Sequence, residues 1–273
     1  MYCSNSIHSI SITLFELSDS YSSMTIPFNT FINSFFKKSR RTNLLTYHKT
    51  STGNYYLPTD ARGDVIANTI IDGKIYDEDV VVIAKKYIKS GTAVLDIGAN
   101  FGQMSILFSE AVGNNGKVYS FEAEPYIFEI LKKNIAANNK SNIIPIGKAV
   151  YNKNGGRIVF PEPDFKRFDS YGSYGVDPRA KEGRTVDTIT IDSLHIEEPI
   201  SFMNVDIQGS DLFALQGAKE TILRNQMPIM FEFEAQFQKE FGTSLDDYLQ
   251  FVDEIGYNVG GVMQGINYLI LPK

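Results

Sequence analysis

A chain of 273 residues, 43% of them hydrophobic, has room for one large α/β domain with an extension and is too apolar for wholesale disorder. Its formal charge of −6 argues against a nucleic-acid partner and suits a neutral or small polar one. The single cysteine, Cys3, excludes an intramolecular disulfide framework and a cysteine-rich zinc site, and points to a reducing, cytoplasmic location.

Residues 1–50 are expected to form an N-terminal extension. The stretch from Met1 to Ser23 lacks a basic start and an apolar core, so it makes a poor signal peptide. Within it, residues 6–14 alternate like a strand, either an added edge or a loosely held arm. Met24 is a second candidate start. Phe28, Phe31, Ile32, Phe35 and Phe36 then recur at helical spacing, and the basic residues Lys37, Lys38, Arg40 and Arg41 end the segment favourably for the helix dipole. Such a helix could lie on the domain, make a homo-oligomer contact, or dock on a membrane surface or partner. No apolar run reaches about eighteen residues, so no membrane span is expected.

The second unit is residues 51–273. Residues 55–75 read as short strands and turns. Asp77 and Glu78 open a helix with Val80, Val81, Ala84, Tyr87 and Ile88 on its buried side. Acids there suit the helix dipole and equally suit contact with a ligand. Strands at 93–97, 117–122 and 142–147 then alternate with helices at 101–112 and 125–138, the second opened by Pro125, which gives a βαβαβ half of a doubly wound sheet. A strand at 157–160 follows the Asn154-Gly-Gly turn. Residues 161–185, rich in proline, glycine and aromatics, break the rhythm, as a lid over an acceptor or as a plain surface insertion. Beyond them come a strand at 186–191, a strand–glycine–helix junction from Phe202 to Asp211, and one helix from Leu212 to Leu223. A strand from Met227 to Glu234, a helix at 244–255 and a hairpin of strands at 258–263 and 267–271 through Gly265 complete the chain.

The chemistry centres on Val94-Leu-Asp-Ile-Gly-Ala-Asn-Phe-Gly102, a buried strand, a tight turn and a helix start. A dinucleotide turn places a second glycine where this chain has Asn100, so an NAD-dependent oxidoreductase is disfavoured. Glycines at 98 and 102 with Asp96 before them suit a ligand that has no phosphate at the turn and carries a cationic amino group, as S-adenosylmethionine (SAM) does. Glu122 ends the next strand roughly 20 residues on, where a carboxylate can accept from a ribose diol. Asp206 ends the strand of the second junction, and Glu232 and Glu234 project together from the strand after it. His8, His48 and His195 lie far apart and outside both junctions. There is no P-loop, nucleophile elbow or H-E-x-x-H motif.

With these segments in place, the chain resembles the FkbM-type SAM-dependent methyltransferases over roughly residues 55–260. The resemblance rests on residues 94–102, Phe121-Glu-Ala-Glu-Pro125, Thr190-Ile-Asp-Ser-Leu194 and Asn204-Val-Asp-Ile-Gln-Gly-Ser-Asp211. It implies an α/β, class I (Rossmann-like) fold: a seven-stranded sheet with a reversed last strand. It also implies methyl transfer to a hydroxyl of a sugar, glycan or secondary metabolite. By position, Asp96, Gly98, Ala99, Asn100 and Gly102 would hold the methionine part of SAM, Glu122 the ribose, and Ala149 and Val150 the adenine. Asp206, Glu232 and Glu234 would carry the catalysis by direct proton removal, or by holding Mg²⁺ or Mn²⁺ through Asp206 and Glu234, or would only hydrogen-bond the acceptor hydroxyls. The family pattern K-x-D-x-E-G-x-E is altered here. Asn204 takes the lysine place, Gln208 the first glutamate place and Asp211 the second. Those losses leave a SAM-binding module without turnover as the alternative.

Overall fold

The computed structural model describes residues 44–61, 63–162, 169–177 and 179–273. The strand read at residues 6–14, the helix read from Phe28 and His8 lie outside the described residues. Leu45–Thr50 (β1) and Gly53–Pro58 (β2) form an antiparallel hairpin, followed by helices Val65–Ile71 (α1) and Glu78–Tyr87 (α2). The regular alternation then begins: Ala93–Ile97 (β3), Gln103–Val112 (α3), Lys117–Phe121 (β4), Pro125–Ala137 (α4) and Ile143–Ile146 (β5). Ala149–Val150 (β6), Arg157–Phe160 (β7) and Arg184–Ile189 (β8) make a separate three-stranded sheet. The main sheet resumes with Ile200–Val205 (β9), Asp211–Gln216 (α5), Lys219–Asn225 (α6) and Ile229–Glu232 (β10). Ala235–Phe241 (α7), Leu245–Glu254 (α8), Tyr257–Met263 (β11) and Asn267–Pro272 (β12) close the chain.

The main sheet has the order β11-β12-β10-β9-β3-β4-β5. Its paired strands are parallel except β12, which runs against both β10 and β11. This is the class I methyltransferase sheet with its one reversed strand inserted next to last. Helices cover both faces, so the central strands are apolar on both sides, and every residue of β3 and β9 is buried. Val94, Phe202 and Met230 pack on one face with Phe108 of α3. Leu95, Met203 and Ile229 pack on the other, in one cluster with Tyr248 and Phe251 of α8. Two parallel strands whose carboxyl ends meet in the middle of such a sheet make the crevice in which ligands of doubly wound folds sit.

The sequence reading lacks strands Leu45–Thr50 and Ala149–Val150 and helix Ala235–Phe241, and three further elements differ from it. Residues 65–71 are a helix, not strands and turns. The buried side chain of Asp64 caps it by accepting from the Ala67 N–H at 2.8 Å, and Ala67 and Ile70, three residues apart, face the core. A cap and tertiary packing outweigh the preference of its β-branched residues. The helix expected from Leu212 to Leu223 is two, broken at Gly217, where a Cβ would lie 2.1 Å from the Tyr151 carbonyl oxygen. Asp192 of the Thr190-Ile-Asp-Ser-Leu motif restarts it, accepting from the N–H groups of Glu220 at 3.1 Å and Thr221 at 2.8 Å. The strand from Met227 ends at Glu232, and Glu234 is already the residue before α7. The hairpin through Gly265 is present, with Met263 opposite Asn267.

Candidate active site

At the carboxyl end of β3 the chain turns through Gly98 into α3. Gly98 has φ 94, and a Cβ there would lie 1.8 Å from the Asp206 carbonyl oxygen. Glycine is therefore required on two counts, conformation and space. The same contact joins the two glycine junctions, and the Asp206 N–H fastens it by donating to the Ile97 carbonyl at 2.9 Å.

Asn100 is left-handed, φ 49, a conformation that asparagine tolerates better than most residues. Its side-chain oxygen accepts from the Phe101 N–H at 2.7 Å, while its own N–H donates to Glu122 Oε2 at 2.9 Å. Glu122 Oε1 accepts from the Glu124 N–H at 2.8 Å. The carboxyl group at the end of β4 is thus tied to the turn after β3. Burial pushes Glu122 up to about 7, against the pull of these N–H donors.

Asp96 is 1% exposed, and burial raises it to about 6. Its two hydrogen-bond donors are neutral, the Ser105 hydroxyl and the Asn204 amide. Among the described residues no lysine bonds to it, and Asn204 stands in the lysine place.

The second junction runs from β9 into α5. Gln208 is left-handed, φ 55, and its Nε2 donates to both Asp206 Oδ1 and Glu232 Oε2 at 2.9 Å. Asp206 and Glu232 also hydrogen-bond to each other, and burial raises both. Two carboxyl groups in contact cannot both ionise, so one proton stays with the pair. The charge of the pair is shared between them. Asp211, fully buried at the first position of α5, staples the turn by accepting from the N–H groups of Ile207 at 3.4 Å and Gly209 at 3.1 Å.

One pocket connects these groups. Asp96, Gly98, Ala99, Asn100, Glu122, Ala149, Val150, Asp206, Glu232 and Glu234 all line it. Gly102 does not, being set back before α3 at φ 90, where a Cβ would meet Leu131 at 2.6 Å. His48 and His195 are not on its wall. Asp96 and Glu232 lie on β3 and β10, and Glu122 and Asp206 directly follow β4 and β9, so the four stand along one edge of four adjacent strands. Three strand steps span roughly 14 Å, room for a ribose at one end and a reacting centre at the other. Tyr76 and Lys148, not singled out from sequence, also line the pocket.

Ser170–Val176, the described inner part of the long loop, roofs the pocket. The Tyr171 N–H donates to Asp64 Oδ2 at 2.8 Å, which ties this strap to the cap of α1. A Cβ on Gly172 would lie 3.3 Å from Asn100 Nδ2, and one on Gly175 would lie 2.9 Å from the Ile207 carbonyl oxygen. The strap therefore passes close over both junctions. Ser170 Oγ is buried on this wall with no hydrogen-bond partner among the described residues. Nucleoside and amino-acid groups fit the donor set: a carboxyl group for a diol, glycine backbone beside an uncompensated acid for an ammonium, and apolar β6 for a base. Among the described residues no group of three or more His, Cys, Asp or Glu is arranged to hold a metal ion, and no helix is long and apolar enough to cross a membrane.

Comparison with known proteins agrees with this geometry. A 59-residue stretch is 36% identical to a fibrillarin-like rRNA/tRNA 2'-O-methyltransferase of Pyrobaculum aerophilum, covering 22% of this chain and 25% of that protein. A 64-residue stretch is 31% identical to a probable cobalt-precorrin-6B C(15)-methyltransferase of Sulfolobus acidocaldarius, covering 23% and 33%. The chain thus matches a quarter to a third of the length of these curated relatives. Among solved structures, the methyltransferase FkbM of Methylobacillus flagellatus aligns over 67% of this chain and 44% of its own, with 19% identity and a TM-score of 0.45. The family profile described as the methyltransferase FkbM domain matches residues 96–259, more than half of the chain and the whole span from Asp96 through Glu234. SAM is the cofactor that goes with this match, and the chain belongs to the FkbM methyltransferase family.

Proposed function

We propose that this chain is a SAM-dependent O-methyltransferase acting on a hydroxyl of a sugar, a glycan or a secondary metabolite. The observation that supports this most is the Asp206–Glu232 pair, bridged by Gln208, at the end of the pocket away from Glu122. SAM, when bound, supplies an electrophilic methyl group. Glu122 accepts from the ribose hydroxyls, Asp96 and the Gly98–Asn100 backbone hold the methionine, and Ala149 and Val150 border the adenine. The Asp206–Glu232 pair keeps one negative charge, and through Asp206 it takes the proton of the acceptor hydroxyl. Gln208 fixes the orientation of both carboxyl groups, and Glu234 accepts from a neighbouring hydroxyl. The strap 170–176 excludes water from the reacting end. The RNA named for one relative is not carried over, because carboxyl groups stand at the reacting end where an RNA partner would need Lys and Arg.

The test is transfer of radiolabelled methyl from SAM to a panel of glycosides and hydroxylated small molecules. Asp206→Asn should lower turnover by roughly 10²–10⁴-fold and leave SAM affinity nearly intact. EDTA should have no effect; a loss that Mg²⁺ or Mn²⁺ restores would move Asp206 and Glu234 to a metal role. If Asp206→Asn and Glu234→Gln both methylate at the wild-type rate, the proton acceptor lies elsewhere.

A further inference from the structure

Ser170 opens the strap. It stands at the cap position of the single 3₁₀ turn Tyr171–Ser173, where a serine side chain ordinarily accepts from the N–H groups of the turn. Here it makes no such bond. The Tyr171 N–H is taken by Asp64 Oδ2 at 2.8 Å and the Ser173 N–H by the Ser170 carbonyl at 3.4 Å. The Ser170 hydroxyl is left with no hydrogen-bond partner among the described residues. Yet the residue is only 6% exposed, and it lines the pocket. A buried hydroxyl without a partner costs the fold more than a typical hydrogen bond contributes, so neither capping nor stability accounts for a serine at this place. Its oxygen turns on one torsion among staggered wells, so it can be presented to a ligand on this wall with the backbone fixed.

The strap runs lengthwise over the pocket, which decides what part of a ligand Ser170 meets. Tyr171 packs edge-on against Phe101 of the first junction, with ring centroids 6.3 Å apart, and tilted against Tyr126 in the first turn of α4, at 5.8 Å. Gly172 passes over Asn100, whose N–H donates to Glu122. Further along, Gly175 passes over Ile207 and Gln208 of the second junction. Ser170 is therefore at the Glu122 end of the pocket, and Gly175 is at the reacting end.

We propose that the Ser170 hydroxyl is a cofactor-binding group, which donates to a ribose hydroxyl of the SAM that Glu122 holds. The inference rests on the reading of Glu122 as the ribose acceptor. A diol hydroxyl that gives its proton to a carboxylate keeps its lone pairs and needs a donor for them. The carboxylates of Glu122 and Glu124 at that end cannot supply one, and Glu124 is already engaged by the Ile127 N–H at 2.7 Å and by Arg184. Ser170 supplies the donor. Because it belongs to the strap, the same bond fastens the pocket roof onto the bound cofactor.

Calorimetry on the purified chain tests it, with S-adenosylhomocysteine and its 2′-deoxy and 3′-deoxy analogues as ligands. Ser170→Ala should weaken S-adenosylhomocysteine binding about three- to tenfold. The same substitution should change the affinity for one of the two analogues by less than about twofold, because that ligand lacks the hydroxyl that Ser170 meets. Ser170 has an ordinary extended backbone, φ −130 and ψ 139, which alanine adopts without strain. The urea midpoint of the ligand-free variant should therefore equal or exceed that of the wild type. A lower midpoint would mean that the hydroxyl is already bonded within the fold, and it overturns the proposal. So does an unchanged affinity for S-adenosylhomocysteine, or an equal loss with all three ligands. Failure of S-adenosylhomocysteine to bind folded wild-type protein, or wild-type binding of both analogues as tight as that of the parent, overturns the reading of Glu122 on which the proposal stands.

Discussion

The Asn204 side-chain amide donates to Asp96 Oδ1 at 3.2 Å across two adjacent parallel strands, in a register that places the two residues side by side. Both are buried, and the partner supplied to Asp96 is neutral. Asn204→Leu keeps the size and removes the donor, which leaves a buried carboxyl group short of one bond. It should cost on the order of 1–3 kcal/mol of folding stability, read as a lower urea midpoint at pH 7.5. It should also raise the Asp96 pKa further and weaken SAM binding at neutral pH. Unchanged stability and affinity would mean that the Ser105 hydroxyl alone satisfies Asp96.

Proton linkage gives a second expectation. Burial raises Glu122 to about 7 and Asp96 and Asp77 to about 6, while their unfolded values lie near 4. Between about pH 4 and pH 7 the folded chain therefore binds protons that the unfolded chain has released. Stability of the ligand-free protein must fall as pH rises through this window. Glu198, Asp247 and Asp253 are lowered and act in the opposite sense, but they lie at the surface. The urea midpoint should be higher at pH 5.5 than at pH 8, and Glu122→Gln should flatten the slope. A midpoint that rises with pH would contradict the buried-acid description. SAM affinity should move the other way and strengthen as Glu122 ionises, because only the carboxylate accepts two hydroxyl protons from a diol.

Asp64 links the cap of α1 to the pocket roof through the N–H groups of Ala67 and Tyr171. Asp64→Ala should cost about 0.5–2 kcal/mol through the lost cap. It should also speed amide hydrogen exchange at residues 170–176, which SAM with an acceptor should slow in the wild type. Exchange at 170–176 that ignores both the substitution and the ligands would leave this segment a surface insertion.

Much of this arrangement is legible in the sequence where one residue type answers one physical demand. Gly98 marks a close backbone approach, and Asp96, Glu122 and Asp206 stand at the carboxyl ends of strands that read as short apolar runs. The illegible parts depend on residues far away in the chain. The helical state of Val65–Ile71 depends on Asp64 and on core packing, and β-branched residues mask it. Gly217 reads as one more helical residue until the Tyr151 carbonyl is placed beside it. The loss of lysine at 204 reads as a missing part, whereas the structure shows Asn204 bonded to Asp96. Asp77 reads equally as a helix-dipole acid and as a ligand contact, and nothing local signals that Gln103 and Gln264 hold the turn that brings its neighbour Tyr76 to the pocket.

The central claim, that the crevice between Glu122 and Glu232 is a SAM site, is tested most directly by unfolding the chain with and without SAM. At a free ligand level of about 100 times Kd, SAM should stabilise the wild-type protein by about 2.7 kcal/mol, whereas NAD should not. Glu122→Ala should weaken SAM binding by about 1–3 kcal/mol through the lost bonds to the diol. No stabilisation of a folded sample by either SAM or S-adenosylhomocysteine, or an identical response to NAD, would contradict the account.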